Sequence, residues 1–404
     1  MAPAWKRCQL LTPFMTQLSP RTVRRGLTAT FLSTFFSLTS LFLFFPLLIF
    51  TLKARGLSDA TVGLVASAEW LGFAIGPPFV ARWVNLLGMR RAFIASGLVP
   101  FISMLTITLT PWPQLWVVLI MLGGISGSMR WIVAESTVAQ MAPPEIRGRI
   151  VGLFGTMISL TYIVGPALLA WIGTHDQAAQ SARWTAVVLG GIGLSLSRAV
   201  PAMTSGNSQA TLEPRLGLAG ILDALRRAPL LMVSGALGGF LEAGSTGILP
   251  LFGLAIGLGE SRSAILLSAC GLGGVLVMAP VGALADRIAH RLLYIVSTLV
   301  TAAASMSMVL VVHWPPLTYV IALLWGACGG ALYTLAMVDI GHRGKGVQLV
   351  NFTSVLVLSY TIGGTLGPLL GGIALTLSTH WGLPAMMTTV ALLGLVAFTK
   401  GKAV

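Results

Sequence analysis

Five ionisable side chains fall inside or at the ends of long apolar runs: Glu69, Arg130, Glu135, Glu242 and Asp339. A charge at the centre of a membrane helix costs about 2.5 to 3.5 kcal/mol on insertion scales. Each such group therefore needs a partner, water or a function. For the carboxyls the available chemistry is proton carriage, because an acid in low-dielectric surroundings resists ionisation and can exchange its proton near neutral pH. Glu242 ranks first for that role, since no basic residue shares its apolar run; Glu135 ranks second and Glu69 third. Arg130 and Glu135 are five residues apart, about 140° around a helix of 3.6 residues per turn, and do not face each other. In the alternative reading, Glu135 or Glu69 is a salt-bridge partner of Arg130, which would keep that acid ionised and disable it as a carrier. No Ser-His-Asp arrangement, phosphate loop or metal-ligand cluster stands out. Gly123-Gly124 and Gly329-Gly330 read as helix-packing positions. No enzyme, cofactor or metal site is expected.

The elements that must position these groups follow from composition. Of 404 residues, 55% are hydrophobic and 9% charged, against roughly 25% charged in soluble domains. A water-soluble globule is excluded. Twelve spans of about 20 residues would use most of the chain and leave only short loops. The net charge of +14 would point to nucleic acid in a soluble protein, but here the 25 Lys and Arg are scattered between apolar runs. The cysteines, Cys8, Cys270 and Cys328, have neither disulfide nor metal spacing.

Residues 1–26 read as a basic tail interrupted by proline, followed by a first span from Leu27 to Leu52. Further spans are expected near 60–82, 91–110, 114–134, 150–173 and 184–203, then near 229–253, 263–285, 291–312, 317–339, 347–376 and 383–399. The domains are thus a tail (1–26), a six-helix bundle (27–203), a polar linker (204–228), a second bundle (229–399) and a short tail (400–404). With both termini cytoplasmic, 20 of the 25 Lys and Arg fall on the inner side and four outside, as the positive-inside rule requires. Pro111-Trp112-Pro113, His313-Trp314-Pro315-Pro316 and His380-Trp381 mark the outer interface. The halves repeat at an offset of 198: Arg147-Gly148 with Lys345-Gly346, Tyr162 with Tyr360, Gly165 with Gly363. The fold class is an all-α membrane protein, with twelve transmembrane helices in two pseudo-symmetric six-helix bundles. Such parallel repeats suit a rocking carrier.

Gly282-Ala-Leu-Ala-Asp286-Arg287, followed by His290-Arg291, lies between spans 8 and 9, and a degenerate copy ending in Arg90-Arg91 lies between spans 2 and 3. This resembles the G-x-L-A-D-R-x-G-R-R signature of the major facilitator superfamily. The physical role expected of such a loop is a conformational latch, with an acid near a helix N-terminus and basic neighbours. Gly363-x3-Gly367-Pro368-x2-Gly371 in span 11 has the spacing of the superfamily's antiporter motif, with a fragment at Gly165-Pro166 in span 5. The small residues permit close packing and the prolines a bend. Arg130-Trp131-x3-Glu135, Arg147-Gly-Arg149, Glu242 before Leu249-Pro250-Leu251, and the stretch from Ser359 to Pro368 resemble the YcaD-like branch.

The resemblance covers essentially the whole chain. It implies the major facilitator fold and alternating access, with spans 1, 4, 7 and 10 lining a cavity in which Arg130 or Glu135 could face Glu242. Trp70, Trp131, Tyr162, Asn351, Ser354 and Tyr360 are candidate contacts for a ligand. The leading expectation is a proton-coupled exporter of a small organic compound in a bacterial inner membrane. The alternatives are an importer, a symporter or facilitator whose Arg130 clamps an anionic group, and a membrane sensor or scaffold that moves nothing. The partners expected are a small-molecule substrate, protons and the bilayer, with no nucleic acid, and the chain is expected to be a monomer.

Overall fold

The computed structural model describes residues 19–143, 146–201, 229–285, 287–311, 314–343 and 347–400. Among them the chain is helical apart from short connections. The first half comprises α1 (Pro20–Ala54), α2 (Asp59–Ile75), α3 (Pro77–Leu87), α4 (Met89–Leu109), α5 (Pro113–Met141), α6 (Arg147–Ile172) and α7 (Asp176–Ser197). The second comprises α8 (Pro229–Leu241), α9 (Ser245–Ala255), α10 (Glu260–Ala285), α11 (His290–Val311), α12 (Pro315–Arg343), α13 (Val347–Leu377) and α14 (Gly382–Lys400).

Nine of the described helices are long and apolar enough to cross a membrane, and eleven spans result if each bent pair counts as one. With α7, 22 residues long, the arrangement accommodates the twelve spans expected. The first helix starts at Pro20, earlier than the expected Leu27. Ser19 caps it, accepting a hydrogen bond from the Thr22 N–H at 3.2 Å, and proline suits the first helical turn. The sixth span occupies 176–197 rather than 184–203, because Asp176 opens the helix eight residues earlier than hydropathy indicates.

Two expected spans are broken. The α2–α3 pair bends by 42° at Gly76-Pro77-Pro78, and the α8–α9 pair by 43° across Glu242, Ala243 and Gly244. Proline explains the first bend, since it removes a backbone donor and crowds the preceding turn. At the second, the Gly244 N–H reaches back five residues to the Gly239 carbonyl at 2.8 Å, and the Ser245 hydroxyl bonds to the Leu241 carbonyl. A side-chain hydroxyl thus takes up a carbonyl at the break, as a lipid-buried backbone demands.

The repeat read from sequence appears as a repeated crossing. A Cβ added at Gly165 of α6 would lie 2.6 Å from Phe42 Cβ of α1, and one at Gly363 of α13 would lie 2.7 Å from the Phe240 nitrogen of α8. The α13 glycines form two flanks. Gly363, Gly367 and Gly371 lie against Phe240, Gly244 and Ile248 of the seventh span, while Gly364 lies between Ala243 at the break of that span and Trp70 of α2, and Gly372 lies against Gly63 of α2.

The two bundles meet through α2 with α13, α6 with α10, and α9 with α1 and α2. The side of the molecule that holds Pro20 and Lys400 is here called the tail side. The contacts cluster away from it, with the Ala60 N–H donating to Thr376 Oγ1 at 3.1 Å and the Ser268 hydroxyl to the Ile163 carbonyl at 3.0 Å. On the tail side, α3 and α8 pack substantially only within their own bundles. Among the described residues the result is a vestibule closed at the far side and parted toward the tail side. Trp112, Trp171, Trp314 and Trp381 stand exposed at the far side, an interfacial aromatic belt.

Candidate functional site

Glu242 occupies the break between α8 and α9 and borders a small cavity of about 10 Å³, room for about one water, formed with Ser159 and Tyr162 of α6 and Cys270 and Gly271 of α10. The cavity therefore lies between the bundles. The Tyr360 hydroxyl of α13 is a side-chain hydrogen-bonding neighbour of the carboxyl. A Cβ at Gly274 would lie 3.7 Å from Glu242 Oε1, and one at Gly329 would lie 3.2 Å from Glu242 Cβ. Those glycines give the side chain room beside α10 and α12.

Glu135 is exposed to the vestibule on α5, beside Trp131. Tyr333 of α12 lies in the neighbourhood of both Glu135 and Glu242. Glu69 is partly buried on α2 and, like Glu242, lies in the neighbourhood of Tyr162. Among the described residues none of these three acids is in an ion pair. The geometry thus gathers Glu69, Glu135 and Glu242 around the interface from both bundles.

Aromatic rings connect them. Trp131 lies 6.2 Å from Phe73, Phe73 lies 5.3 Å from Trp70, Trp70 lies 6.1 Å from Tyr360, and Tyr360 lies 5.0 Å from Tyr333. Trp70 Nε1 donates to Thr246 Oγ1 at 3.3 Å, tying α2 to α9. Tyr162 packs on Phe42 at 3.9 Å. Asn351 and Ser354 have side chains outside the described set. Tyr333, Phe73 and Thr246 were not singled out from sequence, yet the repeat holds a signal for the first, because Tyr333 lies 198 residues after Glu135.

Arg130 departs from expectation. It is only 6% exposed and turns away from the interface into the first bundle. Its Nη2 donates to Ser33 Oγ at 2.6 Å and its Nη1 to the Phe93 carbonyl at 3.2 Å, with Ser197 Oγ at 3.4 Å. The guanidinium lies 4.4 Å over the Phe93 ring. Gly97 leaves the room it needs. The physical reason is that spans 1, 3 and 6 offer hydroxyls, a carbonyl and an aromatic face, a better match for five donors than one distant carboxylate. It neither faces Glu242 nor pairs with Glu135 or Glu69.

The basic residues of the two signature loops also act within their own bundles. Arg90 Nη2 donates to the Arg198 carbonyl at 2.7 Å; Arg291 Nε donates to the Phe398 carbonyl at 2.9 Å, and its Nη2 bonds to that of Thr399. Each therefore caps the end of the last helix of its bundle. Arg91 and Arg287 are exposed, and Gly282 packs loosely near Thr334. Asp286 lies outside the described residues. Asp339 bonds to His290 Nδ1, and the Tyr294 hydroxyl donates to it at 3.3 Å, beside the α10 end.

Two bundles of transmembrane helices around a shared central cavity define a multi-pass membrane protein of the transporter type. The model of the Major Facilitator Superfamily matches residues 30–354, and the chain belongs to that family. It is similar to an uncharacterized MFS-type transporter YcaD of Escherichia fergusonii, with 25% identity over 309 residues, 76% of this chain and 78% of the relative. Among solved structures it resembles a variant of the nucleoside transporter NupG (TM-score 0.77, 13% identity, 94% of this chain and 99% of that one). It also resembles a D-xylose-proton symporter (TM-score 0.74, 14% identity, 95% and 98%).

Proposed function

We propose that the protein is a secondary active transporter that works by alternating access in a bacterial inner membrane, exporting a small organic compound in exchange for protons. The observation that carries this reading is Glu242, an acid without an ion-pair partner among the described residues, placed at the break of the seventh span beside the interbundle cavity. Discontinuous helices of this kind offer backbone and side-chain groups at mid-membrane. With 20 of 25 basic residues assigned to the side of the termini, the tail side is cytoplasmic and the vestibule faces inward. Glu242 is the coupling acid, with Glu135 and Glu69 as relay groups on the opposite bundle. Moving one charge across 100 mV contributes about 2.3 kcal/mol, enough for a roughly fiftyfold gradient.

Uptake of an anion clamped by Arg130 loses its support, because that side chain is engaged by Ser33, Ser197 and Phe93. The test is proton flux in reconstituted vesicles loaded with a pH-sensitive dye and challenged with a panel of metabolites and drugs. A cargo-evoked flux is expected. Glu242→Gln should abolish it while leaving counterflow exchange of the same cargo. Unaltered pH-dependent flux in that variant would overturn the assignment of the acid, and no flux with any cargo would favour a sensor or scaffold.

A further inference from the structure

We propose that the far side of the first bundle binds the phosphate of an anionic phospholipid, clamped by Arg55 and Arg183 at the mouth of a crevice between α1, α4, α5 and α7. The site is independent of the direction and coupling of transport.

Two bases stand here on the side that membrane proteins keep poor in them. Arg55 follows the last residue of α1, and Arg183 lies about two turns into α7. Both hold the same turn of α1: the Arg55 N–H donates to the Thr51 carbonyl at 3.2 Å, and Arg183 Nη2 donates to Thr51 Oγ1 at 3.1 Å. Each lies in the other's neighbourhood. Like charges so placed repel, and an anion between them relieves the repulsion. Among the described residues neither arginine is in an ion pair, whereas Lys53 nearby takes Asp59. The other acid on this flank, Asp176, is exposed at the start of α7 and pairs with neither.

The arginines are held in place yet keep donors in reserve. Arg55 Nη1 donates to the Pro111 carbonyl at 2.6 Å, and its guanidinium lies 4.4 Å over the buried Trp116 ring. Its Nε and Nη2 face no acceptor among the described residues. Fixed guanidinium forks of this kind suit phosphate oxygens. Trp116 and Arg183 line the crevice with Phe44, Leu47, Leu48 and Ile107. Its space of about 10 Å³ holds about one water. The phosphate therefore sits at the mouth, where Arg55 is exposed and Arg183 half-buried.

Depth favours a lipid over a dissolved phosphate. Trp184, next to Arg183, and Trp112, next to Pro111, are both exposed, and such tryptophans mark headgroup level. An anionic headgroup fits best, because a zwitterionic one brings its own cation to two arginines. The second bundle supplies the contrast. At the offset of 198, Trp116 is matched by Trp314, but Arg55 and Arg183 by Gly253 and Trp381. The fold itself does not require the pair.

The test is native mass spectrometry of the purified full-length protein titrated with phosphatidylglycerol, phosphatidylcholine or inorganic phosphate. The tightest-bound phosphatidylglycerol should hold at least about tenfold more strongly than phosphatidylcholine. Arg55→Gln with Arg183→Gln, checked for unchanged melting in lipid-free detergent, should remove that preference. Arg24→Gln with Arg25→Gln, on the tail side, should leave it intact. If the far-side double variant melts early, Arg55→Gln alone, at an exposed position, should still weaken the lipid severalfold. No preference for phosphatidylglycerol, a preference that survives the far-side substitutions, or its loss from the tail-side pair would overturn the proposal. Displacement of the lipid by millimolar inorganic phosphate would overturn it too, in favour of a site for a dissolved anion.

Discussion

The two bundles share a backbone plan but fill it with different chemistry. Phe93 and Ser197 of the first half correspond, at an offset of 201, to Tyr294 and Phe398 of the second. In the first half those positions receive the cation Arg130; in the second, Tyr294 stacks on Phe398 at 4.8 Å and donates to the anion Asp339. The repeat partners Tyr162 and Tyr360 differ likewise, one packed on Phe42 and the other beside Glu242. What the halves keep in common is the helix crossing at Gly165 and Gly363, and the arginine that caps the last helix. Backbone geometry is shared because the fold needs it twice, whereas polar side chains diverge because a site between the bundles needs each only once.

The sharpest way to break this comparison is at Arg130. Arg130→Ala should cost about 3 kcal/mol of stability, through the cavity left behind and the loss of a partner for the Phe93 carbonyl. Arg130→Met, which keeps volume and removes a charge from the membrane interior, should stay within about 1 kcal/mol of the parent. Thermal melting in detergent separates the two, and a Met variant as unstable as the Ala variant would mean that the hydrogen bonds hold the bundle. Next come the crossings. Gly165→Ala and Gly363→Ala should each cost about 2 kcal/mol by overpacking, the second more because its nearest neighbours are all main chain. A silent Gly165→Ala would show that the crossings are not equivalent. Smallest are Arg90→Gln and Arg291→Gln, about 0.5 kcal/mol each from the lost helix-end contact. If they instead abolished cargo-evoked proton flux, they would belong to a latch between the bundles.

Much of this architecture is legible in the sequence. The apolar runs, the lysine and arginine distribution and the 198-residue offset each reflect lipid as solvent, and lipid imposes regular constraints on composition. The breaks are legible only in part. Gly76-Pro77-Pro78 announces one bend, while the break at Glu242 comes from Gly244 and Ser245 rearranging a helix that hydropathy reads as continuous. The direction of Arg130 was hidden for a different reason. Its partners Ser33, Phe93 and Ser197 lie on three other spans, and hydroxyls and carbonyls carry no charge signal that a linear reading can match to it. Tyr333 is inconspicuous in sequence because a lone tyrosine in an apolar run is ordinary, and only the repeat, in which it is the counterpart of Glu135, marks it.

One helix ties these regions together. The 363, 367 and 371 flank of α13 grips the seventh span around its break, and the neighbouring 364 and 372 flank bears on α2 of the other bundle. Any motion that pries α2 from α13 therefore unloads one side of a rod whose other side braces Glu242. Opening the far portal and altering the acid's surroundings become a single mechanical event, and a substitution at Gly372 should be felt at Glu242 without touching it.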